Sequence, residues 1–397
     1  IGLLYRFGYF KQKLGPKGEQ LTIFEPEEFS RLPITLIKDH EGRNLTVSIA
    51  WPGRTVNVRV WEASVGKVRL LLLDTDFEDN IPEDRSITHY LYGGDHENRL
   101  KQELLLGIGG IRALTALGLK PDLYHSNEGH SAFISLERMR TMISENHLTF
   151  SEALEAIRSS TLFTTHTPVP AGHDAFEEDM LRKYISHYHT RFSISWDELM
   201  ALGRCEGEAD RKFNMSFLAA HMSQELNGVS KLHGQVTQGL FNKLWPGYLK
   251  EELYIGYVTN GVHYPTWLAP EWQPIYKELT GKVNFDQTDR SQWEKLYNLD
   301  DRRIYEIKKA LKKKLFINIR KRLQTIMIDK HVSPRTLMNI SNHLDEKALT
   351  IGFARRFATY KRAYLLFRDL DRLARIVNNP DKPVQFIYAG KAHPHDG

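Results

Sequence analysis

Across residues 45–61 apolar and polar side chains alternate, with Val47, Ile49 and Trp51 before Pro52-Gly53-Arg54 and Val56, Val58 and Val60 after it. A period of two puts one face of each run on a core. The turn residues between them make the spacing a β-hairpin. Residues 66–74, with the leucine run 70–73, predict a further buried strand. Over residues 97–117 the period changes: Leu100, Leu104, Ile108, Ile111 and Leu114 recur every three or four positions and Gly118 supplies the stop, which predicts a helix.

Beyond Gly118 the pattern becomes strand, turn and helix, repeated. Strands are predicted at 122–124, 161–164, 253–258, 349–353 and 385–388, with helices starting near Ser131, running through Ala153, Leu154 and Ile157, and starting near Lys361. Such alternation argues for an α/β protein with parallel, doubly wound sheets. A long helix carrying Ile304, Ile307, Leu311, Leu315, Ile319, Leu323 and Ile326 and the turn-rich Ser333-Pro334 interrupt the rhythm, so a domain boundary is expected near residue 336. Domains 1–336 and 337–397 follow from that division. A strand at 385–388 calls for a crossover helix that the remaining residues do not supply, and the sequence opens on Ile1. A fragment cut at both ends is the expectation.

At about 150 residues per domain, 397 residues make two to three domains, and 41% hydrophobic with 26% charged residues is ordinary globular composition. No run approaches the ~20 apolar residues of a membrane span, so none is expected. Cys205 alone permits no intrachain disulfide, and no secretion signal opens the sequence, which makes the cytoplasm the expected compartment. The net charge of +5 is concentrated: Lys308, Lys309, Lys312, Lys313, Lys314, Arg320, Lys321, Arg322 and Lys330 oppose only Asp329, giving about +8 there and about −3 elsewhere. No nucleic-acid motif accompanies these charges, and the segment reads as the solvated face of a helix. Nucleic acid is not an expected partner.

In open parallel sheets ligands bind beyond the carboxyl ends of the strands, where helix amino-termini present free N–H groups. The segments that follow the predicted strands are Asn127-Glu128-Gly129-His130, Thr165-His166-Thr167-Pro168, Asn260-Gly261-Val262-His263, Arg355-Arg356 with Tyr360-Lys361-Arg362, and Gly390-Lys391. The first three mix amide, carboxylate and imidazole, which suits a polyhydroxylated ligand whose hydroxyls both donate and accept. The last two offer arginine forks and lysine charges, the equipment for phosphate. His125 and His130 with Glu128 have no helical ligand spacing, so no metal is expected. Gly107-Ile108-Gly109-Gly110 interrupts a helix and is no dinucleotide fingerprint.

The run Gly352-Phe353-Ala354-Arg355-Arg356-Phe357-Ala358-Thr359-Tyr360-Lys361-Arg362 resembles, with Asn127-Glu128-Gly129-His130-Ser131, Phe163-Thr164-Thr165-His166-Thr167-Pro168 and Thr259-Asn260-Gly261-Val262-His263, the α-glucan phosphorylases of the bacterial maltodextrin or glycogen type. The resemblance implies two doubly wound Rossmann-like domains facing across a cleft (the GT-B type), the second incomplete here. It implies pyridoxal 5′-phosphate as cofactor, and phosphorolysis of terminal α-1,4-linked glucose to α-D-glucose 1-phosphate with retained configuration. α-1,4-Glucan and phosphate would be the partners, and a homodimer fits the family. By motif, His166 would hold the glucose, with Asn127 and Glu128 orienting it and Asn260 binding a hydroxyl. Arg356 and Lys361 would grip the substrate phosphate and Tyr360 reach the sugar, while Arg355 and Trp267 serve the cofactor. Tyr92-Gly93-Gly94-Asp95-His96 resembles the family's mobile gate, with His96 where asparagine is common in animal members. The glycine-rich phosphate loop and the Gly-Met-Lys motif bearing the Schiff-base lysine are not found in this chain. The 397 residues alone are therefore expected to be inactive. A glycan synthase of the same architecture using a sugar nucleotide, and a non-catalytic glucan-binding remnant, are the alternatives.

Overall fold

The computed structural model describes residues 1–15, 18–91, 93–169, 172–205, 211–329 and 333–393. Tyr92 of the expected gate lies outside them. The chain forms two compact units, Ile1–Lys11 with Ile23–Asn260, and Gln12–Thr22 with Gly261–Gly397.

Among the described residues the first unit holds two larger sheets and a two-stranded antiparallel pair, Ala175–Phe176 with Phe213–Asn214. Strands β1 (Gly2–Leu3), β2 (Thr35–Leu36), β3 (Thr46–Trp51), β4 (Arg54–Val65) and β5 (Val68–Asp74) make the first, in the order β1-β5-β4-β2 with β3 also paired to β4. The expected hairpin is β3 and β4, with Val47 opposite Val58 and Ile49 opposite Val56, and every second side chain of β3 is buried. Gly53 takes the turn at φ 70°.

The expected helix over 97–117 is built in three parts: α1 (His96–Leu104), a single π-turn over Leu105–Gly109, and α2 (Gly110–Ala116). The π-turn is where Gly107 meets its neighbour, since a Cβ there would stand 2.7 Å from the Phe133 Cβ and 2.9 Å from the Ile134 nitrogen.

The second sheet has four parallel strands: β6 (Tyr124–Asn127), β7 (Thr161–Thr164), β8 (Glu225–Gly228) and β9 (Ile255–Tyr257), in the order β9-β8-β7-β6. Helices α3 (Ile134–Asn146) and α4 (Phe150–Arg158) connect β6 to β7. Later come α5 (Glu178–Phe192), α6 (Met215–His221) and α7 (Lys231–Phe241), the last joining β8 to β9. The apolar Leu123 drew the predicted strand at 122–124 too early. It is 74% exposed, and pairing begins at Tyr124. Strand β8 has no counterpart among the expectations because Glu225, Asn227 and Gly228 give it neither alternation nor an apolar run, although Leu226, Asn227 and Gly228 are buried.

In the second unit, α8 (Asp301–Asp329) is the long basic helix. Its inner face differs from the expected stripe: Phe316 is fully buried while Leu315 and Ile326 are exposed. After α9 (Pro334–Asn342), strands β10 (Leu349–Ala354) and β11 (Val384–Ala389) pair in parallel. The helix expected from Lys361 is absent. Short 3-10 turns at Thr359–Lys361 and Ala363–Phe367 flank Arg362, whose left-handed backbone (φ 52°) breaks any helix there, and α10 starts only at Leu370 (Leu370–Val377). Among the described residues no helix is long and apolar enough to cross a membrane.

Candidate active site

Because every pair in the second sheet is parallel, the segments after β6, β7, β8 and β9 leave from one edge. Three expected residues come together there. The His166 Nε2 stands 2.5 Å from the Asn127 Oδ1, and Glu128 Oε1 accepts the His166 backbone N–H at 2.5 Å and the Thr167 hydroxyl at 2.9 Å. With the amide oxygen as acceptor, Nε2 carries the proton and Nδ1 keeps a lone pair for a donor such as a sugar hydroxyl. His166 and Asn127 are both exposed. Behind this rim the Thr164 hydroxyl donates to the Asn227 Oδ1 at 2.8 Å, which is the use the polar strand β8 makes of its asparagine. Asn260 is exposed at the end of the same edge, its N–H donating to the Val229 carbonyl at 3.3 Å.

Glu128 is held in strain. Its backbone sits at φ 64° and ψ 177°, a region that essentially only glycine enters without penalty and that costs other residues about 1–3 kcal/mol. The neighbours fix it: its N–H donates to the Thr164 carbonyl at 2.9 Å, and Gly129 lies so close to α6 that a Cβ would stand 2.9 Å from the Ser216 nitrogen. Replacing Glu128 with alanine and with glycine should therefore separate function from strain. Both variants lose the carboxylate, but glycine relieves the backbone, so Glu128→Gly should be the more stable of the two by about 1 kcal/mol. Thermal melts of both check this, and alanine melting higher would contradict it.

Asp95 caps α1, accepting the Asn98 N–H at 2.8 Å, and His96 begins the helix with its ring 5.9 Å from that of Phe176. The other histidines do not assemble with Glu128. His125 bonds the Thr164 hydroxyl at 2.8 Å and His173 the Ser216 hydroxyl at 2.7 Å, and burial holds both below the ordinary imidazole range. His130 instead joins Glu103 and Asp174, with ligand atoms close enough to hold a cation. The Arg99 guanidinium already sits among them, 2.5 Å from His130 Nδ1 and 2.9 Å from Asp174 Oδ2. Arg99, Glu103 and Asp174 were not among the expected residues. The signal was Glu103, a carboxylate three positions after Leu100 on the helix's apolar face, and burial pushes its carboxyl up to about 8.

In the second unit, Arg355 and Arg356 follow β10 and Lys391 follows β11, two ends of one parallel pair. The segments touch: the Phe357 N–H donates to the Lys391 carbonyl at 2.9 Å. Among the described residues no carboxylate lies within ion-pair distance of Arg355, Arg356, Lys361 or Arg362. Lys361 stands 4.7 Å over the Tyr360 ring, and its hydrogen bond and charge, with the charge of Arg356, hold the Tyr360 hydroxyl below its ordinary range. A cationic group without internal counter-charges is suited to an anion. Trp267 ends a short helix (Tyr264–Trp267) and is 75% exposed.

The phosphorylase family profile, described as carbohydrate phosphorylase, matches residues 52–396. The chain belongs to the carbohydrate phosphorylase family. Among curated members of this family, the glycogen phosphorylase of Mycobacterium tuberculosis is 40% identical over 408 aligned residues, covering all of this chain and 47% of its own length. The maltodextrin phosphorylase of Thermococcus litoralis is 41% identical and is covered over 46% of its length. The glycogen phosphorylase of Aquifex aeolicus is 34% identical and is covered over 57%. The chain thus spans about half the length of the carbohydrate phosphorylases it matches.

Proposed function

We propose that the complete protein removes terminal α-1,4-linked glucose from glycogen or maltodextrin with inorganic phosphate, releasing α-D-glucose 1-phosphate with retained configuration. The observation that carries this reading is the His166–Asn127–Glu128 constellation, an exposed imidazole whose tautomer and backbone are both set by neighbours. His166 offers its lone pair to the glucose, Asn127 fixes the ring, and Glu128 holds the segment bearing it. Asn260 takes a further hydroxyl, and Asp95 and His96 belong to the gate. Arg356 and Lys361 bind the substrate phosphate and keep its charge compensated, with Tyr360 beside them. The same reading has residues 1–336 serving the glucan and 337–397 opening the cofactor domain of a GT-B arrangement, in a cytoplasmic homodimer.

Pyridoxal 5′-phosphate fits the donor set of the second unit, since its phosphate finds cations that lack carboxylate partners among the described residues. Arg355 would hold that phosphate and Trp267 wall the ring. When bound, the cofactor supplies a phosphate able to exchange a proton with the substrate phosphate.

The test is the purified complete protein with maltoheptaose and inorganic phosphate. Glucose 1-phosphate is the expected product. Transfer of glucose solely from a nucleotide sugar, with no phosphorolysis, would overturn the reading in favour of a glycan synthase.

A further inference from the structure

Three segments that carry expected site residues converge on one guanidinium. Arg99 lies on α1, the helix capped by Asp95. Its Nη2 donates to Asp174 Oδ2 at 2.9 Å, its Nε lies 3.2 Å from the same oxygen, and Nη2 stands 2.5 Å from His130 Nδ1. On the helix side, Nε is 3.1 Å from Glu103 Oε1, one turn further along α1. Asp174 belongs to the segment leaving β7 through His166, and His130 is two residues after Glu128.

The cluster is built to be rigid. Glu103 is 1% exposed in its side chain, and Arg99 only 18%. Both segments also rest on the start of α6: the Asp174 carbonyl accepts the Met215 N–H at 2.9 Å, and Gly129 packs on the backbone of Met215 and Ser216. A divalent cation would need the space the guanidinium fills, and bringing one beside Arg99 would set two cations against each other. A planar fork that reaches two carboxylates and an imidazole at once fixes directions as well as charge.

We propose that Arg99 is a positioning residue of the active site, which through Asp174 and His130 locks the His166 and Glu128 segments in register with each other and with the gate helix. It touches no reacting group. This inference rests on the functional reading above for its consequence in turnover, but not for its structural content. In the complete protein, removing the fork should loosen the His166 N–H that Glu128 holds, while the sheet beneath, with its own parallel ladder, stays closed.

Hydrogen exchange read by mass spectrometry tests this in the complete protein, comparing wild type with Arg99→Gln, Arg99→Lys and Asp174→Asn. Peptides covering 126–131 and 163–169 are expected to exchange at least ten-fold faster in each variant, with peptides from β8 and β9 unchanged. Arg99→Lys keeps the charge and guards against misfolding. Its single ammonium cannot serve Glu103, Asp174 and His130 together, so it too should loosen both peptides. In turnover, the glucan kcat/KM should fall about ten- to a hundred-fold while the phosphate KM stays constant, because Arg356 and Lys361 are untouched. Unchanged exchange in both peptides, full protection in Arg99→Lys, or faster exchange spread evenly over the sheet would overturn the proposal. A complete protein without phosphorolysis would sink the functional reading alone, since exchange is measured without turnover.

Discussion

Arg356→Ala in the complete protein should raise the phosphate KM sharply and cost about 2–4 kcal/mol of transition-state stabilisation, roughly 30- to 1,000-fold in kcat/KM. On the proposed reading the size follows from chemistry: a charge-assisted fork aimed at the reacting phosphate is lost where charge develops, and among the described residues no carboxylate paired with Arg356 has to be re-satisfied once it is gone. Lysine at the same position should recover part of the loss, since a point charge replaces the fork. Steady-state kinetics with varied phosphate at saturating maltoheptaose measure both. Phosphate kinetics unchanged in the alanine variant would refute the assignment.

A second large effect is expected far from the rim. Glu137 on α3 is fully buried, and its carboxylate accepts from Arg112 Nε at 2.9 Å, Arg140 Nε at 3.0 Å and the Tyr188 hydroxyl at 2.5 Å. Arg112 also donates to the Ser48 carbonyl at 2.6 Å, so one anion ties α2, α3 and α5 to strand β3. Glu137→Ala would strand two guanidinium groups that are mostly shielded from water, and breaking such a buried set typically costs about 3–5 kcal/mol. Chemical denaturation of the variant checks this, and a loss under about 1 kcal/mol would mean that water or a rearrangement replaces the carboxylate. The same group sets an acid dependence. Burial alone would raise Glu137, but the hydrogen bonds from Arg112 outweigh it and hold the carboxyl below the ordinary range. A folded value below the unfolded one contributes stability at neutral pH, and that contribution should fade as pH drops below about 4.5, the ordinary value for a glutamate.

Much of this was legible along the chain, and the failures share a cause. The β3–β4 hairpin and strand β7 are carried by apolar spacing that reports burial directly, and the parallel pair β10–β11 by apolar runs of which Leu349 and Ile351 stay exposed. Strand β8 escaped because its polar Asn227 serves the site behind His166, so its side chains answer to hydrogen bonding more than to the core. The turn at Arg362 escaped because a left-handed arginine leaves no compositional mark. Among site residues, Asn127, Glu128 and His166 were named from motif and do meet. Arg99 and Asp174, 75 positions apart, belong together only through the fold, and nothing local in either segment points to the other. The strain at Glu128 was equally silent, because backbone dihedrals are set by the neighbours that pin them.

The π-turn over Leu105–Gly109 carries a consequence for how this helix tolerates changes in length. Each residue of an α-helix advances the side-chain direction by about 100°. The wide turn takes up one residue more than a regular turn would, so the residues beyond it keep the bearing they would have in a regular helix one residue shorter. Deleting a residue there would yield a more regular helix by every local measure. It would leave Arg112 on Glu137, whereas a deletion between the turn and Arg112, within α2, would swing that guanidinium about a quarter of a revolution around the axis and carry it off Glu137, while Arg99, upstream of the turn, kept its bearing. The helix is thus phased like two gears on one shaft, and the π-turn is a place where the shaft can lose a residue without turning one gear against the other.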